Sequence, residues 1–275
     1  MRLVTVDIDG RSEVGVRTPA GILGTGYESM VELIAAGGEG VEAARTADVP
    51  LPAGRIAAPI VPGKLLFCGI NYRSHLEENP GAVLPEGPFI FSKLPSAVIG
   101  PDEEIVLPRD DLDADYEVEL AFVIGRRARH VRAADAHGYV FGYTIANDVS
   151  ARAIQFRDAQ ITLGKNLDTF APLGPEIVTP DELGDISSLR LTATVNGELR
   201  QSDVAGSMIF SVPRLIEELS ALMTLEPGDL VTTGTPAGVA AFRTPPPWLR
   251  PGDEVVLEIE GIGRLSNRVV SRPPG

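Results

Sequence analysis

The chain has 275 residues, enough for one large domain or for a main domain with a small additional one. Its formal net charge of −14 at pH 7 argues against nucleic acid or an anionic membrane as the natural partner. The single cysteine, Cys68, excludes an internal disulfide and a structural zinc site built on thiolates.

Residues 1–61 are predicted to form a small N-terminal subdomain that precedes a main domain over residues 62–275. The predicted elements of this first segment are two strands, Leu3–Ile8 and Glu13–Val16, and a helix around Ser29–Ala36. Asp7 and Asp9 interrupt the opening apolar run, so we expect no secretory signal, and no apolar stretch reaches membrane-spanning length. A cytoplasmic protein without membrane contact is therefore expected.

The main domain shows short β-type runs separated by Gly/Pro turns. These predicted strands are Leu65–Ile70, Phe89–Phe91, Tyr116–Ile124, Val140–Ala146, Leu189–Val195, Leu230–Thr232, Val255–Ile259 and Arg264–Val270. The clearest helix covers about Ser211–Met223, with Leu215, Leu219 and Leu222 predicted on one apolar stripe. Strands predominate without regular βαβ alternation, which favours a β-rich α+β fold with mixed sheets over a doubly wound one.

A polar segment, "FCGINYRSHLEENPG", follows the first strand of this domain. His75 and Glu78 lie three residues apart, so on a helical turn the carboxylate orients the imidazole and raises its basicity. The pair would then act as a general base for water, on a short helix of the kind that forms a lid. An exposed helix face explains the same spacing at least as well. Tyr72 and Arg73, just before the pair, are candidate substrate contacts.

Two glutamates in "DYEVELAFVIG", Glu117 and Glu119, point to one face of a predicted half-buried strand. Two like charges on one face are unfavourable unless a cation lies between them. Asp148 follows another β-type run, where we predict a helix with Asp148 or Ser150 as its N-cap. Three carboxylates favour Mg²⁺ or Mn²⁺, with Ca²⁺ as a third candidate, and leave coordination positions for substrate. A solvated strand face and an ordinary cap form the alternative interpretation.

Two further residues lie in turn-rich stretches. Lys165, in "GKNLDTFAPLGP", suits an electrostatic clamp for an anionic substrate, although a surface lysine or a Schiff-base lysine explains it too. Thr235, in "DLVTTGTPAGV", follows a predicted strand, and the amides of its Gly-rich turn are candidates for binding a carboxylate.

Taken together, these motifs resemble the fumarylacetoacetate hydrolase family over roughly residues 62–271. The resemblance rests on "GINYRSH", "DYEVELAFVIG", "GYTIANDVSARAIQ", "GKNLDTFAPLGP", "VNGELRQ" and "PGDLVTTGTPAGV", in that order. It implies a β-rich roll of mixed sheets, a homodimer, and a divalent metal held by Glu117, Glu119 and Asp148.

The resemblance also implies roles for single residues. Lys165 corresponds to the family lysine, Thr235 to its carboxylate-binding threonine, and Arg152 and Gln155 to its substrate-binding arginine and glutamine. His75 and Glu78 match the dyad on the lid of shorter members, of the acylpyruvase and isomerase type. A tryptophan common in the family is Ile161 here, which removes an aromatic wall near Lys165 and leaves the substrate open.

The expected activity is hydrolysis of a carbon–carbon bond in a 1,3-diketo acid or acylpyruvate-type 2-oxo acid, as in aromatic catabolism. His75 deprotonates water for attack on a carbonyl, and the leaving group departs as a metal-held enolate. The same site would instead decarboxylate an oxaloacetate-like acid if no water attacked. Proton shuttling alone would give keto–enol or double-bond isomerisation, as for 2-hydroxyhepta-2,4-diene-1,7-dioate. A non-catalytic metal-binding protein is a further alternative.

Overall fold

The computed structural model describes residues 1–79, 81–157 and 161–272. Its strands are β1 (Arg2–Ile8), β2 (Arg11–Thr18), β3 (Gly21–Gly24), β4 (Val49–Pro50), β5 (Arg55–Ile56), β6 (Leu65–Cys68), β7 (Ile90–Lys93), β8 (Val98–Ile99), β9 (Glu104–Leu107), β10 (Ala114–Asp115), β11 (Val118–Ile124), β12 (Val140–Asn147), β13 (Ser150–Ala151), β14 (Ala171–Val178), β15 (Arg190–Val195), β16 (Glu198–Val204), β17 (Leu230–Thr232), β18 (Glu254–Ile259) and β19 (Gly263–Ser271). Its α-helices are α1 (Met30–Ala35), α2 (Gly38–Arg45), α3 (Arg73–Glu78), α4 (Arg152–Gln155), α5 (Ile161–Lys165), α6 (Pro180–Leu183) and α7 (Val212–Leu222).

Two large sheets form the scaffold. The first has twelve strands in the order β4-β3-β2-β1-β14-β12-β11-β17-β6-β7, with β5 paired to β1 and β8 paired to β14. The second has five strands in the order β16-β15-β18-β19-β9. Most pairs are antiparallel, whereas β14 with β8, β17 with β6, and β19 with β9 are parallel. The structure thus confirms the predicted β-rich fold with mixed sheets.

Strand β11 lies in the interior of the larger sheet, between β12 and β17. We predicted a half-buried strand, but every residue of β11 is buried, because each face of the strand packs against a different core. Val118, Leu120 and Phe122 belong to the core shared with the five-stranded sheet. Ala121 and Val123 face the second core, which also contains side chains of the N-terminal segment.

The N-terminal segment continues the larger sheet. Strand β1 pairs with β14 through Arg2 opposite Val178 and Leu3 opposite Ile177. Glu176 of β14 accepts hydrogen bonds from Arg2 at 2.5 Å and from Arg17 at 2.7 Å, which fastens the segment further. The division of the chain at residue 61 therefore stays a prediction.

Helices α1 and α7 confirm the two predicted helices, and Leu215 and Leu219 of the predicted apolar stripe are buried, whereas Leu222 is not. Val212, Leu215, Ile216, Leu219 and Ser220 form the buried face of α7. Leu222, the last residue of the helix, is 77% exposed. In the described part of the chain, no helix combines the length and apolar character that a bilayer crossing requires.

Strand β14 was not predicted, since its sequence "APLGPEIV" contains two prolines and a glycine, which usually mark turns. The register between β12 and β14 shifts at this point, so the strand accommodates residues that cannot donate ladder hydrogen bonds. Strand β16 was missed for another reason: it is a polar edge strand, where charged side chains remain in water.

Candidate active site

The pairing of β11 with β12 brings the three predicted metal ligands together. Val118 lies opposite Asn147 in the ladder, and the amide of Asp148 donates to the carbonyl oxygen of Glu117 at 3.0 Å. Glu117, Glu119 and Asp148 are all buried, and each offers a ligand oxygen within 4.8 Å of the others. Asp148 does not cap a helix as predicted, because Ser150 and Ala151 form β13 and helix α4 begins only at Arg152.

Two of these carboxylates belong to a row of buried charges of alternating sign, which we call the charge array. Its members in order are Asp115, Arg152, Glu117, Lys165, Asp148 and Lys93. Successive neighbours lie 3.0 Å (Asp115–Arg152), 2.5 Å (Arg152–Glu117), 2.6 Å (Glu117–Lys165), 2.7 Å (Lys165–Asp148) and 2.6 Å (Asp148–Lys93) apart. Every charge in the row thus has an opposite charge at hydrogen-bond distance, as buried ions require.

Glu119 is a carboxylate that does not belong to this array. Burial, followed by the charges of Asp148 and Glu117, raises its pKa well above the usual range. The pKa of Glu117 moves the other way, because Arg152 and Lys165 outweigh the opposing effect of burial. Glu119 resists ionisation because it is buried and because the negative charges of Asp148 and Glu117 lie beside it. A divalent cation bound by the three side chains would compensate this excess negative charge.

Lys165 is the last residue of the short helix α5 and is only 3% exposed, which excludes the alternative of a surface lysine. The ion pairs with Asp148 and Glu117 raise its pKa although burial opposes this. A lysine with a raised pKa is not suited to form a Schiff base, which requires the neutral amine. The clamp interpretation therefore agrees with its surroundings.

Lys93, the last residue of β7, is a buried charged residue next to the site that we did not predict from the sequence. Its ammonium group donates to Asp148 Oδ1 and to the backbone oxygens of Val149 and Phe170, at 2.6, 3.0 and 2.5 Å. Burial lowers the pKa of Lys93 to about 8, although Asp148 acts in the opposite direction. A lysine that ends a strand is normally assigned to the surface, and no local signal in "FIFSKLP" indicates its buried partner.

The predicted dyad is formed on helix α3. His75 Nδ1 lies 2.6 Å from Glu78 Oε1, and the His75 ring packs against Phe242 with ring centroids 5.8 Å apart. The other oxygen of Glu78 accepts a hydrogen bond from the amide of Gly238 at 2.8 Å. Glu78 therefore connects the helix to the turn after β17, and the ring of His75 is held from two sides.

The Gly-rich turn after β17 binds carboxylates, but the two it binds belong to the protein itself. The amide of Gly234 donates a hydrogen bond to Glu119 at 3.0 Å, and the amide of Gly238 donates one to Glu78. The Thr235 hydroxyl donates to the Val118 carbonyl at 2.9 Å and accepts from Gln201 at 2.8 Å. Gly234 has a φ of 79°, and an added Cβ would lie 2.6 Å from the Gly69 oxygen, so only glycine fits there.

These groups enclose a cavity of about 200 Å³. Its lining comprises Cys68, Gly69, Ile70, His75, Asn79, Phe89, Glu117, Glu119, Asp148, Arg152, Gln155, Phe156, Ile161, Lys165, Thr235 and Phe242. The dyad histidine, the carboxylates and the polar candidates Arg152, Gln155 and Thr235 thus share one small space. Tyr72 is fully buried and Arg73 is exposed, and neither lines the cavity. Its lining therefore gives no support to their assignment as substrate contacts, which stays a prediction.

Comparison with known proteins identifies relatives of this chain. The family model described as fumarylacetoacetate (FAA) hydrolase C-terminal matches residues 64–270. The chain is 43% identical over 251 residues to the protein named oxaloacetate tautomerase Fahd2a, mitochondrial, of Rattus norvegicus, covering 88% of this chain and 80% of that one. It is 46% identical over 220 residues to oxaloacetate tautomerase YisK of Bacillus subtilis, covering 78% and 73%.

A solved structure has the same fold over nearly the whole chain. The fumarylacetoacetate hydrolase of Exiguobacterium antarcticum superposes with a TM-score of 0.88 at 37% identity, covering 99% of this chain and 100% of that one. The family match spans the elements that carry the carboxylates, the lysines and the dyad. The chain therefore belongs to the fumarylacetoacetate hydrolase family.

Proposed function

We propose that the protein is a divalent-metal-dependent tautomerase that interconverts the enol and keto forms of a small 2-oxo acid of the oxaloacetate class. The observation that carries this proposal is the small cavity that His75 lines together with Glu117, Glu119 and Asp148. Relatives that are 43% and 46% identical carry the name oxaloacetate tautomerase, which favours isomerisation among the chemistries of this family. A cavity of about 200 Å³ suits a small acid, since pockets for drug-sized ligands measure about 300–1,000 Å³.

The metal ligands in this proposal are Glu117, Glu119 and Asp148. Their all-oxygen donor set fits Mg²⁺ or Mn²⁺, with Ca²⁺ as a further candidate. A bound divalent ion would supply Lewis acidity that favours loss of a proton next to the 2-oxo group.

His75 carries the proton in this proposal. Its Nδ1 is occupied by Glu78, which as a carboxylate can only accept, so the proton stays on Nδ1 and Nε2 is the free base. Ketonisation removes a proton from the enol hydroxyl and adds one to carbon 3. The imidazole holds that proton at Nε2 between the two events, and Glu78 stabilises the imidazolium that forms.

Lys165 would stabilise the negative charge that develops on the substrate oxygen. Among the residues that the structure describes, Glu117 and Asp148 use two of its three ammonium hydrogens, and the third is available for the substrate. The phenyl ring of Phe91 lies 5.3 Å from the same nitrogen and limits the directions in which that hydrogen can point. Arg152 and Gln155 would bind a carboxylate of the acid.

Hydrolysis of an acylpyruvate, our first expectation from the sequence, has less support. The Exiguobacterium antarcticum structure carries the name of a hydrolase, but the more similar curated relatives carry the name of a tautomerase. Hydrolysis also requires a water molecule beside both His75 and the bond to be broken, in a cavity that already has little room. We therefore place the isomerase alternative first.

The test follows the fate of enol-oxaloacetate. Protein is stripped with EDTA, and the ultraviolet absorbance of the enol is recorded before and after Mg²⁺ or Mn²⁺ is added. We expect faster loss of the enol only with metal, without formation of pyruvate in a coupled lactate dehydrogenase assay. Pyruvate formation at the same rate would identify a decarboxylase, and cleavage of an acylpyruvate without tautomerisation would restore the hydrolase interpretation.

The homodimer and the cytoplasmic location that we expect from the sequence also remain predictions. Phe89 and Leu222, which are 51% and 77% exposed, line one groove together with Leu219 and Met223. A second copy of the chain would cover this apolar surface, which supports the expected homodimer.

A further inference from the structure

Asp115, at one end of the charge array, has no role in the chemistry described so far. It is fully buried at the end of β10, which is held against β13 by the pairing of Asp115 with Ser150. Its carboxylate Oδ2 lies 3.0 Å from both Nε and Nη2 of Arg152. A carboxylate in this position binds the guanidinium group through its side edge, with two adjacent nitrogens on one oxygen.

The hydrogen-bond donors of Arg152 can be counted. A guanidinium group has five N–H donors. Nε donates to Asp115 Oδ2 at 3.0 Å and Nη2 donates to Glu117 at 2.5 Å, while Nη2 also lies 3.0 Å from Asp115 Oδ2 as an ion pair. Nη1 donates to Gln155 Oε1 at 2.9 Å, which uses one of its two hydrogens. Within the described part of the chain, Nε and Nη2 thus face Asp115 and Glu117, and the second hydrogen of Nη1 remains for a molecule in the cavity that Arg152 and Gln155 both line.

We propose that Asp115 is a positioning residue that fixes the guanidinium of Arg152 so that only Nη1 is presented to a substrate carboxylate. This proposal rests on the proposed function, because it concerns how the same site binds its acid. It predicts that Arg152 binds the substrate carboxylate through one hydrogen bond, from Nη1. The ion pairs of Arg152 with Asp115 and Glu117 fix the direction of that hydrogen bond. The guanidinium cannot rotate about its side chain without losing bonds to Asp115 and Glu117 together.

Asp115 also has a second set of contacts that suggests a different role. Its oxygens accept hydrogen bonds from the amides of Ala240 and Ala241, at 2.7 and 3.1 Å. These residues directly precede Phe242, whose ring packs against His75. Loss of the Asp115 charge could thus disturb the dyad instead of the arginine, and the experiment has to separate the two effects.

The principal variant is Asp115→Asn, which keeps the shape of the side chain. The amide group accepts through one oxygen only, and its NH₂ would face N–H donors of Arg152 or of the backbone. Since the backbone amides are held in place, we expect the guanidinium to move. The control variant is Asp111→Asn, which removes the same charge from a side chain that is 76% exposed.

Binding is measured by calorimetry with Mn²⁺ alone and then with oxalate added to the Mn²⁺-loaded protein. We expect Asp115→Asn to weaken oxalate binding by about tenfold or more, with the Mn²⁺ dissociation constant changed by less than about threefold. The control should leave both values unchanged. In a tautomerase assay the loss should appear in KM, with kcat reduced less. A fall in kcat with unchanged oxalate affinity would assign Asp115 to the Ala240–Phe242 segment and overturn the proposal.

Arg152→Lys keeps the test decisive if Asp115→Asn does not fold, and a double variant adds a thermodynamic cycle if it does. Arg152→Lys retains the positive charge but not the planar group that Asp115, Glu117 and Gln155 hold, so it should weaken oxalate binding similarly. Wild-type affinity in Arg152→Lys would overturn the proposal. In an Arg152→Met background, Asp115→Asn should cause no further loss of affinity, because its effect passes through the arginine. These binding results do not depend on which reaction the enzyme catalyses, so a failed activity assay leaves them interpretable.

Discussion

His75 Nδ1 lies 2.6 Å from Glu78 Oε1, and the second oxygen of that glutamate accepts the amide of Gly238 at 2.8 Å. The dyad is thus held to a turn 160 residues further along the chain, which also donates an amide to Glu119. The same turn therefore holds both the His75–Glu78 dyad and the metal-ligand candidate Glu119. The position of the imidazole relative to Glu119 thus does not depend on helix α3 alone.

Replacement of His75 by alanine should abolish most of the tautomerase activity and leave metal binding intact. General acid–base catalysis contributes about 10²–10⁴-fold, so we expect kcat to fall by that amount. Glu78→Gln should cause a smaller loss, because the imidazole keeps its place but loses the carboxylate that stabilises its charged form. The measurements are the loss of enol absorbance and Mn²⁺ calorimetry. A rate near that of the wild type for His75→Ala would exclude this residue as the proton carrier.

Replacement of Glu119 by glutamine should remove the response to metal without destabilising the metal-free protein. The pKa of Glu119 is raised chiefly by burial and then by its two carboxylate neighbours, so the neutral amide resembles the form that the protein prefers. We expect an unchanged or higher melting temperature without metal and no increase when Mn²⁺ is added. Glu258→Gln, an exposed glutamate on β18, is the matched control. A marked loss of metal-free stability in Glu119→Gln would contradict the assignment.

The effect of metal on stability should increase with pH. Glu119 has a folded-state pKa above its unfolded value of about 4.3, so between these two values the folded state binds the extra proton. Its contribution to stability is complete below about pH 4.3 and declines as the pH rises through the raised value. Metal binding requires the ionised carboxylate and therefore releases that proton.

We accordingly expect a larger Mn²⁺-induced rise in melting temperature at about pH 8 than at about pH 5.5. Glu117 acts in the opposite sense, since its lowered pKa adds stability that is lost only on acidification below about pH 4.3. Thermal scans with and without metal at several pH values measure this dependence. An equal shift at both pH values would show that no proton leaves the site on metal binding.

Replacement of Lys165 by methionine should make the folded protein depend on metal. The ammonium group is bonded to two buried carboxylates, and removal of one partner from a buried ion pair costs about 3–5 kcal/mol. A divalent ion would restore the lost positive charge, so we expect a larger metal-induced rise in melting temperature than in the wild type. Catalysis should remain impaired, because no ammonium is left to stabilise the substrate oxygen. Lys64→Met is the control, since its ion pair with Asp229 lies elsewhere and is part-buried.

Short spacings in the chain were sufficient to predict several parts of this protein. Two glutamates two residues apart on a strand must share a face, and a histidine and a glutamate three apart on a helix must be neighbours. The sequence motifs, in their order, also indicated the family and the β-rich class. The errors were local as well: the prolines of β14 argued against a strand inside the sheet, and Leu222 was predicted to be buried although it is exposed at the end of α7.

The surroundings of these residues depended on contacts that no spacing reveals. Lys93 reaches Asp148 across 55 residues, and Arg152 reaches Asp115 across 37, because neighbouring strands and loops come from distant parts of the chain. Those cations decide which carboxylate is ionised and which resists ionisation, since a pKa in a buried site follows the charges in contact with it. Residue types and local faces could therefore be inferred from the amino-acid order. The electrostatic state of the site arose only when the folded sheets removed its charges from water and paired them.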